Sequence, residues 1–232
     1  MQQLTLDISL RDGFRFESFY IHKDNVDVVN LLKLIASQQE QGQFFFWGVE
    51  QSGKSHLLQA CCQQASRSGL IVSYLPLKVL SMYSTSCLQG LQQSSIIVID
   101  DIDVVLGNPI WEEALFYLIN ETRLNQQTLL ISASDGPRQL NCQLPDLASR
   151  LIWGGIYQIH ELSDKEKFLT LQTRARQRGF EIPDNVIDYL YKRYPRKLST
   201  LMKILDNIDE QSLITGRKIT LPFIKEALSK ME

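Results

Sequence analysis

Gln43-Phe-Phe-Phe-Trp47, Gly48-Val-Glu-Gln-Ser-Gly53-Lys54-Ser55, His56-Leu-Leu-Gln-Ala-Cys-Cys-Gln-Gln-Ala65 is the stretch that decides the fold. Its middle is a complete G-x-x-x-x-G-K-S phosphate loop. The apolar run before it reads as a buried strand, and the segment after it reads as a helix. Gly48 and Gly53 let the backbone turn and aim N–H groups at phosphate oxygens. Lys54 brings a cation to the β/γ-phosphates, and the Ser55 hydroxyl reaches Mg²⁺. A helix N-terminus favours anions, so strand, loop and helix form one phosphate site. The competing reading is a Gly-Lys turn on the surface, which the flanking strand and helix disfavour. ATP or ADP is the expected cofactor, with Mg²⁺.

Working outward, the candidate strands are 43–47, 71–76, 96–100, 128–132 and 156–160, and the candidate helices 56–67, 78–91, 110–125 and 144–151. Upstream, Val26, Val29, Leu32 and Ile35 give another helix near helical spacing. This alternation predicts an α/β core, a five-stranded and mostly parallel sheet flanked by helices. After His160 the strands stop. Ser163-Asp-Lys-Glu166 has the form of a capping box, Pro183 suits the first turn of a second helix, and helices near 196–212 and 221–231 follow. The expected division is an arm over 1–15, an α/β core over 16–162 and a small all-helical lid over 163–232.

Composition narrows the classes. The chain has 232 residues, 44% hydrophobic and 22% charged, with a formal net charge of −2. That size allows one α/β domain and a small accessory one. The charge balance argues against broad nucleic-acid binding, so DNA contact is expected to be indirect or weak. Cys61, Cys62, Cys87 and Cys142 lack metal-ligand spacing and are too few for a disulfide framework, which suggests a reducing cytoplasm. Asp7, Arg11 and Asp12 exclude a secretory core over residues 1–12, and no apolar run approaches a membrane span.

Ser95-Ile-Ile-Val-Ile-Asp100-Asp101 reads as a buried strand ending in two carboxylates. In phosphate-loop enzymes the first acid holds Mg²⁺ and the next can orient the attacking water. An Asp-rich turn after a strand is the plainer alternative. Its place one strand after the phosphate loop favours the functional reading.

Together these motifs resemble an AAA+ nucleotidase, and within that superfamily the family of the bacterial replication initiator DnaA. The text that carries the likeness is Phe16-Glu-Ser-Phe19, Gly53-Lys-Ser-His-Leu-Leu58, Ile99-Asp-Asp-Ile102, Pro137-Arg-Gln-Leu140, Leu144-Pro-Asp-Leu-Ala-Ser-Arg-Leu151 and Pro222-Phe-Ile-Lys-Glu226. The likeness runs over nearly the whole chain. The initiator goes on to a helix-turn-helix domain, whereas this sequence ends with the lid, so the resemblance implies the family's shorter, regulatory members.

The resemblance assigns roles. Arg150 would reach the γ-phosphate held by a neighbouring subunit, as a finger in trans. On residues alone it could equally be a solvated charge off the Leu144, Leu147, Leu151 face. Arg196 aligns with a lid arginine that senses nucleotide, or is one more charge in the basic stretch 192–197. His56, at the start of the helix, falls in the nucleotide-contacting text. The first sensor is left open among Ser132, Ser134 and Asp135, with Ser134 taken as the cofactor-facing residue. Gln3-Leu-Thr-Leu-Asp-Ile8 looks like a peptide for the DNA polymerase sliding clamp (its β subunit), with Gln3 in a polar sub-site and Leu4, Leu6 and Ile8 in an apolar pocket. Asp7 and Ile8 depart from the pattern, and an edge strand or frayed tail fits the same alternation.

What the resemblance implies is a negative regulator of replication initiation. Docked on the DNA-loaded clamp, it would stimulate hydrolysis of DnaA-bound ATP. An autonomous ATPase acting as a helicase or DNA-complex loader, and a DnaA-like anchoring protein, are the alternatives. A finger working in trans implies an interface, hence a homodimer or other oligomer, or contact with DnaA. Asp101, shorter than the Glu of many AAA+ motors, leaves intrinsic hydrolysis open.

Overall fold

The computed structural model describes residues 14–195, 198–215 and 220–229. Its contacts divide into two units, one ending at Glu161 and one beginning at Leu162.

The first unit is built on five strands: β1 (Gln43–Trp47), β2 (Val72–Pro76), β3 (Ile96–Asp100), β4 (Thr128–Ala133) and β5 (Gly155–Gln158). They lie in the order β2-β3-β4-β1-β5, and every pairing is parallel. The expected "mostly" parallel sheet is therefore wholly parallel. Parallel strands are covered on both faces, so their sequences read as continuous apolar runs. All five residues of β3 are buried.

The two-residue period sorts the core into two layers. Phe44 and Phe46 of β1 pack with Ile96, Val98 and Leu130 under helices α1 (Val26–Ala36) and α2 (Lys54–Arg67). On the other face Phe45, Ile97, Ile99, Leu129 and Ile131 pack under α4 (Pro109–Leu124) and α5 (Pro145–Leu151). The buried stripe of α1 is Val28, Val29, Leu32, Ile35 and Ala36, while Val26 is exposed. Asn25, fully buried, donates to the His160 carbonyl at 2.9 Å and accepts from the His160 N–H at 2.8 Å. It ties the start of α1 to the chain leaving β5.

One expected helix is not there. In place of a helix over 78–91, α3 spans only Leu77–Leu80, and a 3₁₀ turn covers Thr85–Leu88. Ser81, Ser84, Thr85 and Ser86 interrupt the apolar stripe, and hydroxyls compete for local partners, as in the 2.5 Å contact between Ser84 and Ser86. Met82 and Tyr83 stay exposed, so nothing draws further turns onto the sheet.

Among the described residues the second unit has four helices, α6 (Asp164–Gln177), α7 (Asp184–Arg193), α8 (Leu198–Thr215) and α9 (Leu221–Ser229). Its core includes Leu171, Val186, Ile187, Leu190, Leu201, Leu205, Ile208 and Phe223. The capping box is present: Ser163 N–H donates to Glu166 at 2.8 Å, and Glu166 N–H returns to the Ser163 hydroxyl at 3.4 Å. Pro183 stands at the N-cap of α7, one residue before the expected first turn.

Candidate nucleotide site and the arginine edge

The phosphate loop joins β1 to α2, and each glycine in it has a steric reason. A Cβ at Gly48 would come within 2.3 Å of the Ile159 carbonyl oxygen. Gly53 has φ +101°, and a Cβ there would meet the Phe19 ring at 2.6 Å. Gln51 is also left-handed, at φ 72°. Such reversals curl successive N–H groups inward. Gly53 is the N-cap of α2 and no side chain caps that end, so its first N–H groups are left for an anion.

Lys54 is nearly buried and donates to the carbonyls of Gly48 at 2.6 Å and Val49 at 3.2 Å. Burial lowers its pKa, partly offset by the charges of Asp101 and Asp100. The Ser52 hydroxyl is buried in the same loop without a partner. A buried cation satisfied only by loop carbonyls, an orphan hydroxyl and a glycine-shaped cradle suit a phosphate chain. Ser55, half-buried in the first turn of α2, follows Lys54 directly.

Asp100 closes β3, where Tyr74 donates to its Oδ2 at 2.5 Å and Ser132 of β4 donates to its Oδ1. The Tyr74 pKa is raised by burial and by Asp100. Asp101 adopts a left-handed backbone at φ 58°, and its N–H donates to the Ser132 hydroxyl at 2.9 Å. Its carboxylate faces Lys78 of α3 at 3.0 Å. Burial and the Asp100 charge raise the Asp101 pKa, against the pull of Lys78 and Lys54. Partial burial works against the Lys78 charge, yet the bond to Asp101 raises its pKa overall.

Among the sensor candidates, Ser132 is the hydroxyl beside both acids. Ser134 donates instead to Asp103 at 2.5 Å, with Asp135 at 3.2 Å. The other Asp103 oxygen is buried and unpartnered. Tyr74, Lys78 and Asp103 were not singled out from sequence. They come from neighbouring strand ends, and only the strand order brings them to Asp100.

His56 meets the chain's N-terminal segment. Its ring stacks on Phe14 at 4.6 Å, lies 5.3 Å from Phe19, and its Nε2 is 3.0 Å from the Arg15 carbonyl. Phe14 and Arg15, assigned to the arm by sequence, are thus packed against α2. The clamp-type residues Gln3, Leu4, Leu6 and Ile8 lie outside the described residues, as does Arg196.

Arg150 sits elsewhere, near the end of α5, and is not simply solvated. Its Nε donates to Asn120 of α4 at 3.1 Å, and its guanidinium lies 3.9 Å from the Trp153 ring centre and 5.7 Å from that of Phe116. Gln43 at the start of β1 donates to the Arg150 carbonyl at 2.6 Å, which also accepts from the Trp153 N–H at 3.1 Å, and to the Trp153 carbonyl at 3.2 Å. Gly154, at φ +73°, allows this approach, since a Cβ there would fall 2.0 Å from the Gln43 carbonyl oxygen.

Among the described residues there is no group of three or more His, Cys, Asp or Glu able to hold a metal ion, and no helix is long and apolar enough to cross a membrane.

Comparison with known proteins agrees with this architecture. Residues 10–158 match the model of the bacterial DnaA ATPase domain, and residues 164–228 match that of the Hda lid domain. Domain III of the Thermotoga maritima replication initiation protein DnaA is similar, with 18% identity and a TM-score of 0.77 over 96% of this chain and 98% of that one. A DnaA replication initiator bound to AMPPCP and single-stranded DNA is 20% identical, with a TM-score of 0.73 over 86% of this chain and 65% of that one. AMPPCP-bound DnaA from Aquifex aeolicus is 19% identical, with a TM-score of 0.72 over 96% and 70%. With the ATPase model covering well over half of its length, this chain belongs to the bacterial DnaA ATPase-domain family.

Proposed function

We propose that this protein is a negative regulator of replication initiation that carries an adenine nucleotide and promotes hydrolysis of ATP held by DnaA. The observation that carries the reading is the setting of Arg150: a half-exposed guanidinium held by an amide and an aromatic ring rather than by a carboxylate. A cation oriented by neutral partners keeps its charge for an anion from outside. The match of the lid to that of Hda supports the regulatory branch of the family.

In this reading the loop from Gly48 to Gly53, with Lys54, receives the β-phosphate of ADP or the β/γ-phosphates of ATP. Ser55 and Asp100 would hold Mg²⁺, and His56, Ser134 and Arg196 would contribute to nucleotide binding. The bound nucleotide supplies the polyanion that this charged loop is shaped for. AMPPCP in related DnaA structures supports an adenine base. Arg150 then meets the γ-phosphate in the partner's site and stabilises the charge that develops on it. Fingers of this kind contribute roughly 10³–10⁵ in rate, about 4–7 kcal/mol of barrier. The arm docks through Gln3, Leu4, Leu6 and Ile8 on the DNA-loaded clamp, which concentrates the protein where DnaA is to be reset.

The test combines this protein, DNA-loaded clamp and ATP-bound DnaA, and follows ATP hydrolysis. Stimulation should require the clamp and disappear in Arg150→Ala, while Gln3→Ala and Leu4→Ala weaken the clamp requirement. An Arg150→Ala protein that stimulates like the parent overturns the reading. A second reading, an autonomous ATPase, has the adjacent acids Asp100 and Asp101 in its favour. Lys78 weighs against it, because it engages the carboxylate that would orient water. Brisk turnover by the protein alone would decide for the second reading.

A further inference from the structure

Arg150 is not the only cation on Trp153. Arg123, in the last turn of α4, lies with its guanidinium carbon 4.2 Å from the same ring centre. Both guanidinium groups are therefore within stacking reach of one indole. Among the described residues neither forms an ion pair. Asn120, which orients Arg150, is three residues before Arg123 and on the same helix face. Two like charges are thus held on one indole with no ion pair to either, and the fold keeps them there through Trp153.

On the Arg123 side of Trp153 the surroundings are also one-signed. Arg123 and Trp153 line a cavity of about 610 Å³ with Gln41, Gln43, Gln126 and Gln127, and no carboxylate lines it. Its only formal charge is positive, and its other polar side chains are four amides and the Thr122 hydroxyl. The platform is rigid where it needs to be. Gln43 pins the carbonyls of Arg150 and Trp153, and Gly154 sets Trp153 against β1. A tryptophan serving only as apolar cover would need no such alignment of two cations.

We propose that Arg123 is a second cation of the finger: Trp153 holds it beside Arg150, and the two act together on the polyphosphate of a nucleoside triphosphate bound by the partner subunit. The inference rests on the reading of Arg150 as a trans-acting finger. Arg150 reaches the terminal phosphate, where charge develops. Arg123, held on the same ring, contacts the same polyanion. Trp153 is a positioning residue that sets their spacing. Arginine suits the role because its planar guanidinium stacks on an aromatic ring while its N–H groups still point outward to oxygen.

The experiment measures partner ATP hydrolysis as a function of this protein's concentration, giving a maximal rate and a half-saturating concentration for each variant. Arg123→Gln should lower the maximal rate about a hundred- to a thousandfold, the scale of losing one oriented donor to transition-state charge. Arg123→Lys should recover part of that loss. Trp153→Ala should lower the rate as much as Arg123→Gln, and Trp153→Phe, which keeps a ring, should restore most of it. Combining Arg123→Gln with Arg150→Ala should add little to Arg150→Ala alone, as expected for groups that act as a unit. Equal melting temperatures for Arg123→Gln and the parent would separate this loss from unfolding. If Arg150→Ala abolishes stimulation and Arg123→Gln leaves the maximal rate unchanged, the second-cation inference is wrong and the finger reading stands. If Arg150→Ala itself has no effect, the finger reading has failed, and this inference with it.

Discussion

The phosphate-loop end of the sheet and the Arg150 edge hold their charges in opposite ways. At the loop, charge is matched within the chain. Lys54 is bonded to the Gly48 and Val49 carbonyls, Asp100 accepts from Tyr74 and Ser132, and Asp101 faces Lys78. At the edge, Arg150 and Arg123 rest on Trp153, Arg150 also on the Asn120 amide, and among the described residues neither has an ion-pair partner. A buried charge without a partner is costly, so the charges here are held by the chain itself, while the Ser52 hydroxyl and the first N–H groups of α2 are left for a ligand. Exposed cations on neutral supports cost little and stay available. The difference teaches that one site is arranged to keep a ligand and the other to meet a charge brought by something else.

The largest expected effect breaks the two apart. Lys54→Ala removes the only lysine in the phosphate loop and should weaken ADP binding about ten- to a hundredfold, the weight of a charge-assisted hydrogen bond. Arg150→Ala should hold ADP as the parent does, with titration calorimetry as the measure for both. Equal losses in the two variants would mean that the edge serves the chain's own nucleotide, and the contrast would collapse. A smaller effect sharpens it. ADP at a hundred times its dissociation constant should raise the melting temperature by about 5–10 °C, through mass action on the folded state. That rise should shrink in Lys54→Ala and persist in Arg150→Ala.

The two regions also differ in how legible they are in sequence. The loop's chemistry is local: eight consecutive residues carry it, and the flanking runs announce strand and helix. Ser163 and Glu166 mark the start of α6 for the same reason, since a capping box spans four residues. The edge is non-local. Gln43, Asn120, Arg123, Arg150 and Trp153 come from three separate segments, and only the placement of β1 and α4 beside α5 brings them together. Family resemblance points to Arg150, but nothing in a single sequence points to Arg123. The helix expected over 78–91 fails for a different reason. Its hydroxyl-rich middle has a helical length but no continuous apolar face.

The smallest effect tests whether the loop end is strained by its own charges even though each has a partner. Burial and Asp100 raise the Asp101 pKa above the ordinary aspartate value in the folded chain. A raised pKa means that the folded state takes up the proton more readily than the unfolded state. The ionised carboxylate therefore costs stability at pH values above its folded pKa. That cost fades as the pH falls through the folded value toward the unfolded one near 4. Asp101→Asn removes the charge while keeping the shape and a hydrogen-bond acceptor for Lys78. The variant should melt higher than the parent at pH 7.5, and the gap should narrow by pH 4.5. Melting curves at the two pH values check this directly. A variant that melts below the parent at pH 7.5 would show that the Lys78 pair outweighs burial at Asp101, and that this end of the sheet is stabilised by its acids.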